Sequence, residues 1–177
     1  FDASDPVTIN LLTGEGAGGG SWTGVEFVNG RLGTGDDVVV TGGMQLGSIN
    51  GNTGTDSLAI DYSGALADGR TATQIDFSAY NTSNSSPRQT ITLSDGETIQ
   101  IEVRDFESLD ITGTEGDDVI RGLGAGNTLT GLGGDDVLTG GGGIDILDGG
   151  EGDDTFNGVG LGDIVAGIPI HVDKKGG

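Results

Sequence analysis

The chain has 177 residues, of which 38 are glycine, 3 are proline and none is cysteine, and its 28 acidic residues outnumber 7 basic ones to give a net charge of -21. This composition excludes a conventional packed globule, disfavours a disulfide-braced one and favours a repetitive β architecture. The charge makes nucleic acid and anionic membrane surfaces poor partners and cations good ones. No apolar run is long enough for membrane insertion.

The first 60 residues combine predicted strands with degenerate repeats. Residues 7–11 alternate apolar and polar side chains, and residues 22–28 are a second strand candidate. From residue 33, glycine-rich units of about nine residues follow, and each carries an apolar residue near its end. These apolar residues are Val39, Ile49 and Leu58. We predict lead-in strands followed by degenerate repeats over residues 1–60.

Residues 61–112 have a different composition and lack the repeat. Residues 74–78, 90–93 and 98–103 alternate as strands do, and Asp95-Gly96 is a hairpin turn signal between the last two. We therefore predict a small antiparallel β insert here. Residues 106–121 also align without a gap on residues 25–40, so each repeat block follows a similar lead-in that ends in Gly-Asp-Asp.

The segment 113–166 consists of six consecutive units of nine residues: GTEGDDVIR, GLGAGNTLT, GLGGDDVLT, GGGGIDILD, GGEGDDTFN and GVGLGDIVA. Position 8 of the unit is always apolar and lies within a short run that favours strand structure. Positions 1–6 form a glycine-rich turn. Two units would make one flattened coil, and successive coils would stack as parallel strands. The position-8 residues are Ile120, Leu129, Leu138, Leu147, Phe156 and Val165.

The nonapeptide pattern Gly-Gly-x-Gly-x-Asp-x-U-x, in which U is a large apolar residue, resembles the calcium-binding hemolysin-type repeat of the RTX (repeats-in-toxin) family. The resemblance is closest over residues 113–166 and degenerate over residues 33–59. It implies an all-β fold, namely a parallel β-roll (β-solenoid), here with a degenerate N-terminal roll and a small antiparallel insert. We expect residues 167–177 to form a terminal strand and tail that covers the last coil.

Acidic residues recur at position 6, and every other unit has a second acid at position 5. In a coil of two units, alternate turns stack on the same edge, so carboxylates of neighbouring coils would lie roughly 5 Å apart. At an effective dielectric constant near 20, each such pair repels by about 3 kcal/mol. We expect that the segment does not fold without a counter-charge, and Ca²⁺ supplies one because it binds six to eight oxygens.

The RTX resemblance implies several calcium ions, each held between turns two units apart by position-6 side chains and turn carbonyls. The implied pairs are Asp118 with Asp136, Asp136 with Asp154, and Asp145 with Asp163. Because Asn127 replaces the acid in the second unit, the site that it would share with Asp145 should be weaker or lost. The candidate metal ligands are Asp118, Asp136, Asp154, Asp145, Asp163, Asn127, Asp37 and Asp56. The position-5 acids are interpreted as a solvated negative edge.

Two functional hypotheses follow, and neither assigns a catalytic activity to this chain. The only histidine, His171, lies in the predicted tail and outside the repeats. The first is a calcium-dependent structural or adhesive scaffold of a secreted or cell-surface protein, with self-association or a cell-surface molecule as its partner. The alternative is the C-terminal accessory or secretion domain of an extracellular enzyme, such as a protease, lipase or alginate epimerase, whose catalytic part lies elsewhere.

Overall fold

The computed structural model describes residues 6–10, 15–16, 27–42, 45–66, 69–78 and 88–167. These residues form strands and turns, and no helix among them could span a membrane. The strands are β1 (Thr8–Asn10), β2 (Glu15–Gly16), β3 (Phe27–Arg31), β4 (Val38–Gly42), β5 (Gln45–Asn50), β6 (Ser57–Asp61), β7 (Ala72–Phe77), β8 (Arg88–Leu93), β9 (Thr98–Arg104), β10 (Ser108–Thr112), β11 (Val119–Arg121), β12 (Thr128–Gly133), β13 (Val137–Thr139), β14 (Ile146–Glu151), β15 (Thr155–Asn157) and β16 (Ile164–Ala166). The predicted terminal strand after Gly167 lies outside the described residues.

The strands form two eight-stranded sheets. Sheet A has the order β16-β14-β12-β10-β6-β4-β1-β2, and sheet B has the order β15-β13-β11-β7-β8-β9-β5-β3. Every neighbouring pair in sheet A is parallel except β1 and β2. The prediction of an all-β parallel roll is confirmed.

The nonapeptide units alternate between the sheets, so that two units complete one coil. In sheet B, Ile120 of β11 is paired with Leu138 of β13, which is paired with Phe156 of β15. In sheet A, Leu129 of β12 is paired with Leu147 of β14 in the same manner. Each partner lies eighteen residues along the chain, which is the length of the predicted coil.

The position-8 side chains form the core of the roll. Ile120, Leu129, Leu138 and Leu147 are completely buried. They join one apolar cluster with residues of the first repeat block, including Val39 and Leu58. The position-8 residues of the last two units, Phe156 and Val165, pack against this cluster but are only partly buried.

The antiparallel strands of the predicted insert lie within sheet B. β7 and β8 are antiparallel, as are β8 and β9, and Gly96 in the β8–β9 hairpin has a φ of +85°. Sheet A passes directly from β6 to β10, with Leu58 beside Leu109. The two repeat blocks therefore share one continuous sheet, while the division of the chain into four segments stays a prediction.

Candidate metal centre

Two edges of the roll carry the glycine-rich turns. The odd edge is defined here by the turns 113–118, 131–136 and 149–154, which precede strands of sheet B. The even edge is defined by the turns 122–127, 140–145 and 158–163, which precede strands of sheet A. Asp37 and Asp56 also lie on the even edge, because β4 and β6 belong to sheet A.

Position-6 side chains on the odd edge form a ladder of hydrogen bonds. The backbone N–H of Asp118 donates to Oδ1 of Asp136 at 2.8 Å, and the N–H of Asp136 donates to Oδ1 of Asp154 at 3.1 Å. The first carboxylate of this ladder, Asp118, accepts at Oδ1 the N–H of Ile75 in β7 at 2.6 Å. One carboxylate oxygen per turn therefore links two neighbouring coils through a hydrogen bond.

The even edge has the same ladder, and it extends into the first repeat block. The N–H groups of Asn127 and Asp145 donate to Oδ1 of the position-6 residue eighteen residues later, at 2.8 and 2.9 Å. In the first repeat block, the N–H of Asp37 donates to Oδ1 of Asp56 at 2.8 Å. The structure thus places all eight predicted ligands at equivalent positions on the two ladders, the last of them being Asp163.

Position-5 acids make a second ladder that runs in the opposite direction. The N–H of Asp135 donates to Oδ1 of Asp117, and the N–H of Asp153 donates to Oδ1 of Asp135, each at 2.9 Å. These bonds are exposed to solvent. The position-5 side chains therefore lie on a solvated edge, as interpreted from the sequence, but they also accept backbone hydrogen bonds between coils.

The second carboxylate oxygen is left without a partner at several position-6 residues. The Oδ2 atoms of Asp37, Asp56, Asp136 and Asp154 are buried and accept no hydrogen bond. A buried polar group without a partner costs about 1–3 kcal/mol, and more when it is charged. A bound cation, or a proton on the carboxyl group, would satisfy these oxygens.

Glycine at position 1 of the turn leaves the space in which such oxygens converge. A Cβ atom on Gly131 would lie 1.8 Å from Oδ2 of Asp136 and 2.6 Å from the carbonyl oxygen of Gly149. On Gly51 of the even edge, it would lie 2.1 Å from the carbonyl oxygen of Asp105 and 2.5 Å from Oδ2 of Asp56. A cradle of carboxylate and carbonyl oxygens is the donor set that Ca²⁺ takes.

The electrostatics of the odd edge also favour a cation. Burial raises the pKa of Asp136 to about 7, and the charges of Asp118, Asp154 and Asp117 add to the rise, although the hydrogen bond from the Asp118 backbone opposes it. Burial likewise raises the pKa of Asp118. At the exposed end of the even edge, N–H groups of Gly160 and Asp145 instead lower the pKa of Asp163.

At each turn, backbone carbonyl oxygens outnumber the acidic side chains that could hold a metal ion. Among the described residues, no three His, Cys, Asp or Glu side chains gather in a metal-binding group. Each turn instead offers one position-6 side chain and several backbone carbonyls. This donor set fits a hard cation such as Ca²⁺ and does not fit metals that prefer imidazole or thiolate.

The family comparison agrees with this donor set. The family model described as the RTX calcium-binding nonapeptide repeat (4 copies) matches residues 112–147 and 130–165. Residues 112–165 carry RTX calcium-binding repeats. Its RTX segment is a calcium-binding β-roll module that takes several Ca²⁺ ions. A search of curated proteins finds no match to the chain.

Sequence reasoning missed two residues that complete the ladders of the roll. Oε2 of Glu107 accepts the N–H of Asp56 at 2.6 Å and so takes the role of a position-6 acid. The signal was available, because Glu107 precedes the buried Leu109 by two residues, as Asp56 precedes Leu58. On the odd edge, Oγ1 of Thr114 contacts both carboxylate oxygens of Asp118, at 3.0 and 3.2 Å.

Proposed function

We propose that the position-6 carboxylates of this RTX roll are its calcium ligands, together with turn carbonyls. Asp118, Asp136 and Asp154 would serve the odd edge. Asp145, Asp163, Asp37 and Asp56 would serve the even edge. The observation that carries this assignment is the buried, unpartnered Oδ2 of Asp136, which faces the carbonyl-lined space at Gly131.

The bound ion would act as a structural member of the roll. Calcium would supply positive charge to the stacked carboxylates. For Asp118 and Asp136, burial raises the pKa, so their ionised form is disfavoured in the metal-free fold. The residues of the roll orient the oxygens through the two ladders, and glycine at position 1 leaves the space beside them free of a side chain. Millimolar calcium outside cells is sufficient for sites of modest affinity, which supports a secreted or cell-surface location.

We further propose that the module is a calcium-dependent scaffold that associates with a second copy of itself. The supporting observation is a group of exposed apolar residues at the C-terminal end of the even edge: Ile144, Ile146, Val159, Leu161 and Ile164. β15 and β16 beside them are the last strands of their sheets and pair on one side only among the described residues. Exposed apolar patches next to open strand edges favour protein contacts.

Sedimentation velocity with calcium and with chelator tests the scaffold. We expect association in calcium, because calcium orders the coils that carry the patch, and we expect Leu161→Asp to weaken it. Val38→Asp, which adds the same charge at an exposed residue of β4, is the matched control. A particle that stays monomeric in calcium at all concentrations would contradict self-association and favour the alternative, an accessory domain of an extracellular enzyme.

A further inference from the structure

The side chain of Asn127 differs in its bonding from every other position-6 side chain on the two edges. Its Oδ1 accepts two backbone N–H groups, from Leu109 at 2.9 Å and from Leu123 at 3.1 Å. These contacts decide the orientation of the amide, since the opposite orientation would place Nδ2 against two donors. The amide nitrogen therefore points into the turn.

Four oxygens surround Nδ2 of Asn127. The carbonyl oxygens of Ala125, Gly140 and Leu123 lie 2.6, 3.0 and 3.4 Å from it. Oδ1 of Asp145 lies 2.9 Å from it, so its two N–H groups are shared among four acceptors. These oxygens come from positions 2 and 4 of its own turn and from positions 1 and 6 of the next turn on the even edge.

In another turn of the roll, the space beside the position-1 glycine is lined by a carboxylate oxygen without a partner, whereas in this turn it is lined by the amide of Asn127. A Cβ atom on Gly122, at position 1 of the Asn127 turn, would lie 2.2 Å from the carbonyl oxygen of Gly140 and 2.7 Å from Nδ2 of Asn127. At the equivalent Gly131, the nearest atom is Oδ2 of Asp136. A neutral group with two N–H donors thus stands where the other turn presents a buried carboxylate oxygen.

We propose that the amide of Asn127 takes the place of a calcium ion in the turn 122–127, so that this turn closes without metal. The inference rests on the proposed calcium sites of the other turns. An amide donates hydrogen bonds to carbonyls and to Asp145 without adding a second negative charge. The seam that joins β10, β12 and β14 at the even edge is therefore independent of calcium.

This seam modifies the sequence-based expectation that the whole segment 113–166 requires an ion in order to fold. That expectation rested on repulsion between the acidic turns, and it assigned Asn127 only a weakened or lost site and no stabilising role. With Asn127 in the series, the middle of the even edge keeps its hydrogen bonds in the absence of metal. Calcium would then order the coils on either side of a seam that is already formed.

Hydrogen exchange of the wild-type protein tests the seam without any substitution. We expect the N–H groups of Leu109 and Leu123, which bond to Asn127, to keep their protection when calcium is chelated. The N–H groups of Asp118 and Asp136, which bond to proposed calcium ligands, should lose about tenfold or more. Equal loss of protection at all four amides would overturn the inference.

Reciprocal substitutions test the exchange of amide for ion. Asn127→Asp should bind one additional calcium ion per chain in equilibrium dialysis, and Asp136→Asn should bind fewer ions than wild type. Asn157→Asp is the matched control, since Asn157 is exposed on β15 and lies outside the turns. The control should leave the count unchanged.

The outcomes separate the two proposals. An unchanged ion count in Asn127→Asp, with calcium still bound by the wild type, would overturn only the inference about Asn127. A wild-type protein that binds no calcium would overturn the proposed ligands, and the inference would fall with them. If Asn127→Asp fails to fold in chelator, its ions are counted in calcium and the wild-type exchange data decide the case.

Discussion

The backbone N–H of Asp118 donates to Oδ1 of Asp136 at 2.8 Å across eighteen residues of sequence. This bond fixes one oxygen of the Asp136 carboxylate on the preceding coil. The other oxygen, Oδ2, is thereby directed to the space beside Gly131, where it is buried without a partner. A single hydrogen bond thus aligns the coils and directs the second oxygen to the space of the proposed calcium ion.

Asp136→Ala should weaken calcium binding far more than Asp117→Ala. Asp136 is buried and belongs to two proposed sites, whereas Asp117 is exposed and its Oδ1 accepts the N–H of Asp135. We expect the loss of affinity for Asp136→Ala to exceed about tenfold, because losing a residue that only orients a metal ligand already costs about that much. Titration calorimetry measures both variants, and equal affinities would show that position 6 does not hold the ion.

Gly131→Ala should remove one calcium site by filling it. The new methyl group would lie 1.8 Å from Oδ2 of Asp136, so the carboxylate must move or the coil must open. Gly124→Ala is the control, because no atom lies within 4 Å of a Cβ there and it should change stability by no more than about 0.5 kcal/mol. Ion counting and thermal melts measure both variants. Normal calcium binding by Gly131→Ala would place the ion elsewhere.

Acid should stabilise the calcium-free roll and weaken calcium binding. The pKa of Asp136 is raised from 3.8 to about 7 in the fold, so between these values the folded chain binds a proton that the unfolded chain does not. The free energy of unfolding in chelator should therefore fall as the pH rises through about 7. Calcium affinity should rise over the same interval, because a protonated carboxyl group is a poor ligand.

Thermal melts and calorimetric titrations from about pH 5 to pH 8 measure both trends. Asp136→Asn is the control, since an amide does not titrate and its melts should depend less on pH. A wild-type protein whose stability in chelator rises with pH across this range would contradict the assigned direction of the pKa shift.

Chelation should reduce the β-sheet signal of the chain without abolishing it. The turns with unpartnered carboxylate oxygens, at Asp136 and Asp154, lose their counter-charge, whereas the turn at Asn127 keeps its hydrogen bonds. Far-UV circular dichroism before and after chelation, and after calcium is restored, measures the change. An identical spectrum in all three conditions would contradict a structural role for calcium.

The repetitive part of the fold could be predicted because local sequence determines it. The apolar residue at position 8 of each unit predicted the buried side chains of Ile120, Leu129, Leu138 and Leu147. The eighteen-residue coil follows from the length of two units, each with one strand and one turn. Position 6 likewise identified the side chains that the ladders bring into line. These features depend on residues within one coil or on its immediate neighbour, so a periodic pattern is sufficient to find them.

Contacts between distant segments could not be read from that pattern. The bond from Asp56 to Glu107 spans 51 residues, and the chain between them forms antiparallel strands in sheet B. The aligned segments 25–40 and 106–121 also differ in placement, since β4 lies in sheet A and β11 lies in sheet B. Sequence similarity between the two blocks therefore does not specify which sheet each strand joins.

The direct pairing of β6 with β10 has a consequence for how such a chain can change over evolution. One flank of the solenoid continues from coil to coil, while the opposite flank accommodates a hairpin of unrelated sequence. A hairpin can therefore be inserted into sheet B while the strands of sheet A continue to pair without a break. New segments can enter the architecture while the hydrogen-bond ladder of the even edge continues, as it does from Asp56 to Glu107.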